Sequence, residues 1–350
     1  MSDFVPPLPQ ESAELPPEES QIELCSGSPA GYAPETGAPA RGARWLNLLL
    51  LVLTFCTTLV VGARLEYNFR NNLPAFSTDS DMLPLIYPQW ILHEPRLLLL
   101  GVPFSLCLMG ILLAHEMGHY LYCVRYKISA TLPFFIPAPT FIGTLGAFIR
   151  IRGWIGSRAA LFDIGIAGPI AGFVTTVPVL FWGLAHSRWV NVPAQDTAGV
   201  FGMPLAFEVV WRILHHGAHA PSLADVYLHP VAIAAWVGLF ATSLNLLPGG
   251  QLDGGHIVFA VWPKAHRWVT LATILALLPM AVYCSASWLI WAVMVGATGL
   301  RHPDVPAWTE INSKRKWLAI AAVVMLALSL IPAPFADSSL ISTVQQMRGK

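Results

Sequence analysis

From Trp45 to Ala63 the chain runs for 19 residues without a charged side chain, bracketed by Arg41 and Arg44 on one side and Arg64 on the other. In lipid a backbone must satisfy its own polar groups, and a helix of about 20 apolar residues crosses the hydrocarbon core. That one segment restricts the chain to a small set of architectures. Comparable apolar runs recur at Leu97 to about Val124, about Ala159 to Ala185, His229 to Trp262, 268 to 283, 285 to 300 and Trp317 to about Pro332. Seven runs in 350 residues, of which 55% are hydrophobic and only 11% charged, predict a polytopic membrane protein. An ordinary soluble domain is about one quarter charged.

The expected fold class is an all-α polytopic membrane protein with about six to seven transmembrane helices and a short membrane-associated β-hairpin. The hairpin is the segment "TLPFFIPAPTFIGTLGAFIRIR", residues 131 to 152, too short and proline-rich for a span and β-prone on either side of Gly143. A surface loop covering the protein from the solvent side is the other possibility. The chain divides into a Pro/Glu/Ser-rich tail at 1–44, expected to be disordered and cytoplasmic; a first helix and external loop at 45–96; a core at 97–262; further helices at 263–333; and a short tail at 334–350. "VFGMPLAFEVVWRILHHG" in the loop after the third run is expected to lie on the membrane surface or partly within it.

Positive charge sets orientation. With the N-terminus cytoplasmic, Arg125, Lys127, Arg150, Arg152, Arg158, Lys264, Arg267, Arg301 and Lys314 to Lys316 fall on the cytoplasmic side, and the opposite orientation would strand nearly all of them outside. Lysine plus arginine equals aspartate plus glutamate, which points to no nucleic-acid partner. Cys25, Cys56, Cys107, Cys123 and Cys284 are scattered and form no CxxC pair, and are read as small apolar side chains. No secretory or organelle-targeting pattern is evident, so a bacterial cytoplasmic membrane is expected, with a chloroplast membrane as the fallback.

Within the second run, "ILLAHEMGHYLYC" places His115, Glu116 and His119 among apolar side chains. Ionisable groups at membrane depth are costly and mark functional sites. The pattern is HExxH: histidines four apart share one helical face and can reach one zinc ion, while the glutamate beside them can approach an attacking water. Two core histidines bonded to neighbouring helices, with the glutamate as partner, is the plainer alternative. Glu116 lies nine residues before Arg125, roughly 14 Å inside the basic boundary by helical rise.

Catalytic zinc takes three protein ligands and leaves a fourth position open. Asp163 lies near the boundary, and His229 is at the outer end of its run. Asp253, in "NLLPGGQLDGGH", lies 11 residues before Lys264, or roughly 16 Å if helical, the depth of Glu116. Depth selects Asp253, with His256 as reserve ligand or hydrogen-bond partner. The proline and glycines around it predict a broken helix.

HExxH late in an early run, "GTLGAFIRIRG" at 143–153, "GPIAG" at 168–172, and Asn245-Leu-Leu-Pro248 followed by Leu252-Asp253-Gly254 together resemble the site-2 protease family of intramembrane zinc metalloproteases, over roughly residues 97–262. The resemblance implies one zinc per chain held by His115, His119 and Asp253, with Glu116 as catalytic base. It also implies a role for Asn245 near the scissile carbonyl, although a helix-breaking cap ahead of Pro248 is an alternative for that side chain. No room is left between the motifs for an inserted PDZ domain. Substrates are expected to be single-span membrane proteins in the bilayer, bound as an added strand along the hairpin at Gly143, Thr144, Leu145 and Gly146. Two rivals are weighed: another metalloprotease architecture acting on loop or prenylated substrates, and a zinc transporter or non-catalytic zinc-binding scaffold.

Overall fold

The structure is a computed structural model, and it describes residues 41–76, 81, 83–87, 89–189, 201–215, 222–299, 305, 311–335 and 339–348. Of the expected N-terminal tail, residues 1–40 lie outside the described residues, as do parts of the loop after the third run and of the C-terminal tail. The chain is mostly helical. Helix α1 is Arg41–Arg70, so the first run is embedded in a longer helix than its uncharged stretch; α2 is Val102–Arg125, entered through a 3₁₀ turn at Pro95–Gly101; α3 is Arg158–Ala185. A hairpin of β1 (Phe134–Pro137) and β2 (Thr144–Phe148) separates α2 from α3. The other longer helices are α4 (Leu205–Leu214), α5 (Pro230–Asn245), α6 (Asp253–Val261), α7 (His266–Tyr283), α8 (Ser287–Ala297), α9 (Ser313–Ser329) and α10 (Leu340–Arg348), beside a short helical turn at Gln89–His93 and a second antiparallel pair, Arg188–Trp189 with Val226–Tyr227.

Four helical stretches among the described residues are long and apolar enough to cross a membrane: Trp45–Arg70, Pro95–Arg125, Arg158–Ala185 and His266–Tyr283. The expected count of six to seven is not reached by full-length helices. Helix α5 has 16 residues and α8 has 11, so at 1.5 Å per residue α8 is roughly 16 Å long, against about 30 Å of hydrocarbon. These four spans make the chain an integral membrane protein.

Helices α1, α2, α3 and α5 pack closely because small residues face the crossings. A Cβ on Gly101 would lie 2.0 Å from the Leu59 carbonyl oxygen, and one on Gly118 would lie 2.4 Å from that of Ala167. Thr58 and Ser105 hydroxyls meet at 2.6 Å across the α1–α2 contact, pairing two polar groups that lipid cannot satisfy.

The hairpin pairs antiparallel, Phe134 opposite Phe148 and Pro137 opposite Thr144, with a bulge at Ile136. It lies along α1. Asn47 Nδ2 donates to the Leu132 carbonyl at 2.9 Å at the hairpin base, and Thr57 Oγ1 donates to the Gly143 carbonyl at 2.6 Å at its tip. Ten residues of α1 separate those contacts, roughly 15 Å of depth. The hairpin therefore runs along α1 from base to tip. Gly143 has φ of +80°, and a Cβ there would meet the Thr57 backbone at 2.8 Å, so both conformation and space require glycine at the tip.

The fourth run breaks between Asn245 and Asp253. Gly250 turns the chain with φ of +59°, and Cβ atoms on Gly254 or Gly255 would lie 2.2 Å from the Leu246 oxygen and 2.3 Å from the Gly250 oxygen. Asp-Gly-Gly is thus what lets α6 start folded against the end of α5. The open backbone is satisfied by α7, where Thr273 Oγ1 donates to the Pro248 carbonyl at 3.1 Å and His266 Nε2 donates to the Gly250 carbonyl at 3.1 Å. From α8, Thr298 Oγ1 accepts from Gln251 N at 3.3 Å.

Candidate metal centre

The histidines of α2 and the aspartate of α6, 134 residues apart from His119 to Asp253, meet between α2, α3 and α5. His115 Nε2 and His119 Nε2 are 3.2 Å apart. Asp253 Oδ2 lies 3.4 Å from His115 Nε2 and 3.3 Å from His119 Nε2. Three donor atoms with zinc bonds of about 2.0–2.1 Å at tetrahedral angles sit about 3.3–3.4 Å from one another. The observed triangle has that edge, and two imidazoles plus a carboxylate are the nitrogen–oxygen set of a catalytic zinc site with one position left open. The residues therefore fit the metal that the motif implies. Among the described residues this is the one such group of three.

The ring orientations have identifiable causes. His119 Nδ1 lies 2.7 Å from the Ile164 carbonyl, so it carries the proton and leaves the Nε2 lone pair facing His115 and Asp253. Room for that ring is made by Gly168, where a Cβ would lie 2.1 Å from His119 Nε2, and Gly172 gives way to His115, whose Nδ1 would be 3.1 Å from a Cβ. Between those glycines, Pro169 lacks an N–H, so the Gly165 carbonyl has no partner four residues on, within an otherwise continuous α3. "GPIAG" is legible in the sequence as a motif, but its work of making space for two imidazoles is visible only once α2 and α3 are packed. Changing Gly168 to Ala is expected to displace His119 and weaken zinc retention by roughly 100-fold or more, the upper end of outer-shell effects, as read by metal content after chelator challenge. Wild-type retention by the alanine variant would show that the ring has another place to go.

Glu116 is buried, 7% exposed, and the backbone of Ile149, just past β2, lies beside it. The hairpin thus ends at the glutamate. Asn245, the last residue of α5, directs its amide at the donors, Nδ2 lying 3.3 Å from His115 Nε2. Of the three donors Asp253 keeps the most surface, with its side chain 17% exposed against 7% and 9% for the histidines.

The remaining sequence candidates lie elsewhere. Asp163 accepts a two-pronged ion pair from Arg315 and a hydrogen bond from Tyr126. His229 caps α5, its Nδ1 accepting from Val231 N, and faces Glu66 at 3.5 Å. His256 packs its Cβ against Gly165 of α3 and stands outside the donor triangle. Of the four hairpin residues, Thr144 is buried with its hydroxyl donating to the Ile136 carbonyl at 2.9 Å, while Leu145 is 68% exposed and Gly146, with φ of +105°, has nothing within 4 Å of where a Cβ would be.

A membrane helix core whose HExxH histidines are completed by an aspartate on a broken helix has the architecture of a membrane-embedded metallopeptidase. The chain belongs to peptidase family M50, whose model matches residues 103–285. It is similar to the probable zinc metalloprotease EGY1, chloroplastic, of Arabidopsis thaliana, 29% identical over 85% of this chain and 55% of the relative. The probable zinc metalloprotease EGY2, chloroplastic, of the same plant is 31% identical over 77% of this chain and 47% of the relative. The corresponding EGY1 of Oryza sativa subsp. japonica is 30% identical over 66% of this chain and 41% of the relative. The chain thus spans about half the length of these relatives.

Proposed function

We propose that this chain is an intramembrane zinc endopeptidase that hydrolyses peptide bonds in or near the transmembrane helices of single-span membrane proteins. The convergence of His115, His119 and Asp253 with Glu116 beside them carries the reading. When bound, zinc supplies a Lewis acid that brings the pKa of a water toward 7 and polarises the scissile carbonyl. Glu116 takes the proton of the attacking water and delivers it to the leaving amine nitrogen. Asn245 donates from its amide to the carbonyl oxygen as negative charge develops there. Ile164 holds His119 in the tautomer that leaves Nε2 free to bind.

A helical substrate has its peptide groups tied up internally and must be partly unwound to be cut. Among the described residues β2 pairs on one side only, with β1, the strand ends beside Glu116, and an extended segment added along its other side gains the backbone partners that lipid lacks. Gly146 supplies the positive φ and space for an incoming strand, and its N–H is held by Thr144 Oγ1 at 3.0 Å until a partner takes it. Replacing Gly146 by Ala is expected to lower kcat/KM by about tenfold, since strain of order 1–2 kcal/mol falls on the pairing edge, with zinc content unchanged. Unaltered cleavage by that variant would move substrate binding away from β2.

For topology we propose that the segment from α5 through its break to α6 crosses once. In the same proposal α8 descends from the outer side to the level of that break, where Thr298 meets Gln251, and α9 crosses last, giving seven passages with α8 as a half-length helix. The face carrying Arg125, Arg158 and Arg315 is then the cytoplasmic side, or the stromal side in a plastid. The relatives are named chloroplastic, which does not fit the bacterial cytoplasmic membrane expected from the sequence. A zinc transporter needs a succession of donor groups across the bilayer, and among the described residues one is found. The test is quantitative mass spectrometry of membrane proteins from cells expressing wild type or Glu116→Gln. A single-span protein that accumulates in full length with the variant supports the reading, and zinc uptake into proteoliposomes without any peptide cleavage defeats it.

A further inference from the structure

Arg315 is 152 residues from Asp163 in sequence and lies outside the stretch matched by the family model. Its Nε donates to Asp163 Oδ1 at 2.8 Å and its Nη2 to Oδ2 at 2.7 Å, the planar fork that fixes both the position and the angle of a carboxylate. The Tyr126 hydroxyl donates to Asp163 Oδ2 at 2.5 Å, and Arg315 Nη2 is 3.4 Å from the same hydroxyl. Burial beside the Asp163 carboxylate pushes the Tyr126 phenol upward, so it keeps the proton it donates. Arg315 and Asp163 side chains are 17% and 14% exposed.

The three residues stand at informative places. Tyr126 caps α2, the helix carrying both histidines. Asp163 precedes Ile164, whose carbonyl orients His119. Arg315 opens α9, whose Ala322 and Met325 pack with Leu161, Phe162 and Ile166 of α3 and Ile257 of α6. Pro169 cannot donate to the Gly165 carbonyl, so the turn that holds Ile164 has one helical hydrogen bond fewer, and the contacts of Arg315 and Tyr126 to Asp163 fall on that turn.

We infer that Arg315 is a positioning residue for the metal centre, acting through Asp163 and the α3 turn that presents the Ile164 carbonyl to His119. The inference rests on His115, His119 and Asp253 being a metal site. It gives the last membrane helix a role in the centre that packing alone does not supply.

The test measures zinc affinity of the purified full chain by competition with a chromogenic chelator, alongside thermal unfolding. Arg315→Ala is expected to bind zinc about 10–100-fold more weakly, as for other changes behind a metal ligand. Arg315→Lys, which keeps the charge but loses the fork, is expected to fall between the two, and Tyr126→Phe to show a smaller loss. Met325→Ala removes packing from the same helix without touching the trio, and is expected to lower the unfolding temperature at wild-type zinc affinity. Wild-type affinity in Arg315→Ala overturns the inference, as does a loss that Met325→Ala matches at equal destabilisation. If Arg315→Ala does not fold, Arg315→Lys and Tyr126→Phe decide: weakened zinc in the lysine variant supports the inference, and wild-type affinity in both overturns it. A wild-type chain that binds no zinc fails the metal-site reading itself, a separate result.

Discussion

Glu116→Gln is expected to bind zinc as the wild type does and to cleave no substrate within detection. Glutamine keeps the size and shape of the buried side chain, so the surroundings have no reason to rearrange. What it loses is the ability to take a proton, and general-base catalysis is worth about 10²–10⁴ in rate, roughly 3–5 kcal/mol of barrier. Glu116 stands outside the donor triangle, so metal content should not change. Metal analysis and a peptide-release assay on one preparation check both halves. Turnover by a homogeneous Glu116→Gln preparation would assign the base to another group, and loss of zinc would make Glu116 a ligand.

The second large effect is expected at Asp253. Asp253→Ala removes one of three donors and leaves His115 and His119 facing each other at 3.2 Å. Two imidazoles on one helix are a weak site, and the loss in zinc affinity should exceed the roughly 10–100-fold typical of changes behind a ligand. The comparison that gives this result its meaning is His256→Ala. His256 sits one turn further along α6 with its Cβ against Gly165, so that variant should keep its zinc. Stoichiometric zinc in Asp253→Ala together with loss in His256→Ala would exchange the two assignments.

The two histidines and Asp253 could be named from the sequence because each argument was local. Spacing four along a helix gives a common face, and distance to the nearest basic boundary gives depth. The same counting marked Asp163 as close to the boundary, and its Arg315 partner was invisible because nothing in either segment points 152 residues away. The expected six to seven spans are matched by four full-length helices among the described residues for a related reason. An apolar run measures hydrophobicity, not helical length, so the run at 285–300 became an 11-residue helix, and the run at 229–262 became two helices around a turn that α7 and α8 satisfy. The hairpin was legible from its prolines and β-branched residues. That it runs along α1 from Asn47 to Thr57 was not, since Asn47 and Thr57 look like ordinary small polar residues in a span.

By itself, then, the sequence determined that the chain is a membrane protein, that two histidines lie on one face of an early helix, and that a candidate third donor stands at a glycine-rich break. These follow from hydrophobic runs and from the fixed geometry of 1.5 Å and 100° per residue. Only the tertiary structure decided that the Gly168 position clears the His119 ring, that the Ile164 carbonyl sets its tautomer, that β2 ends at Glu116, and that Arg315 reaches Asp163. Those relations depend on how closely and at what angle separate helices approach, and close approach is fixed by which atoms are missing from both partners at once.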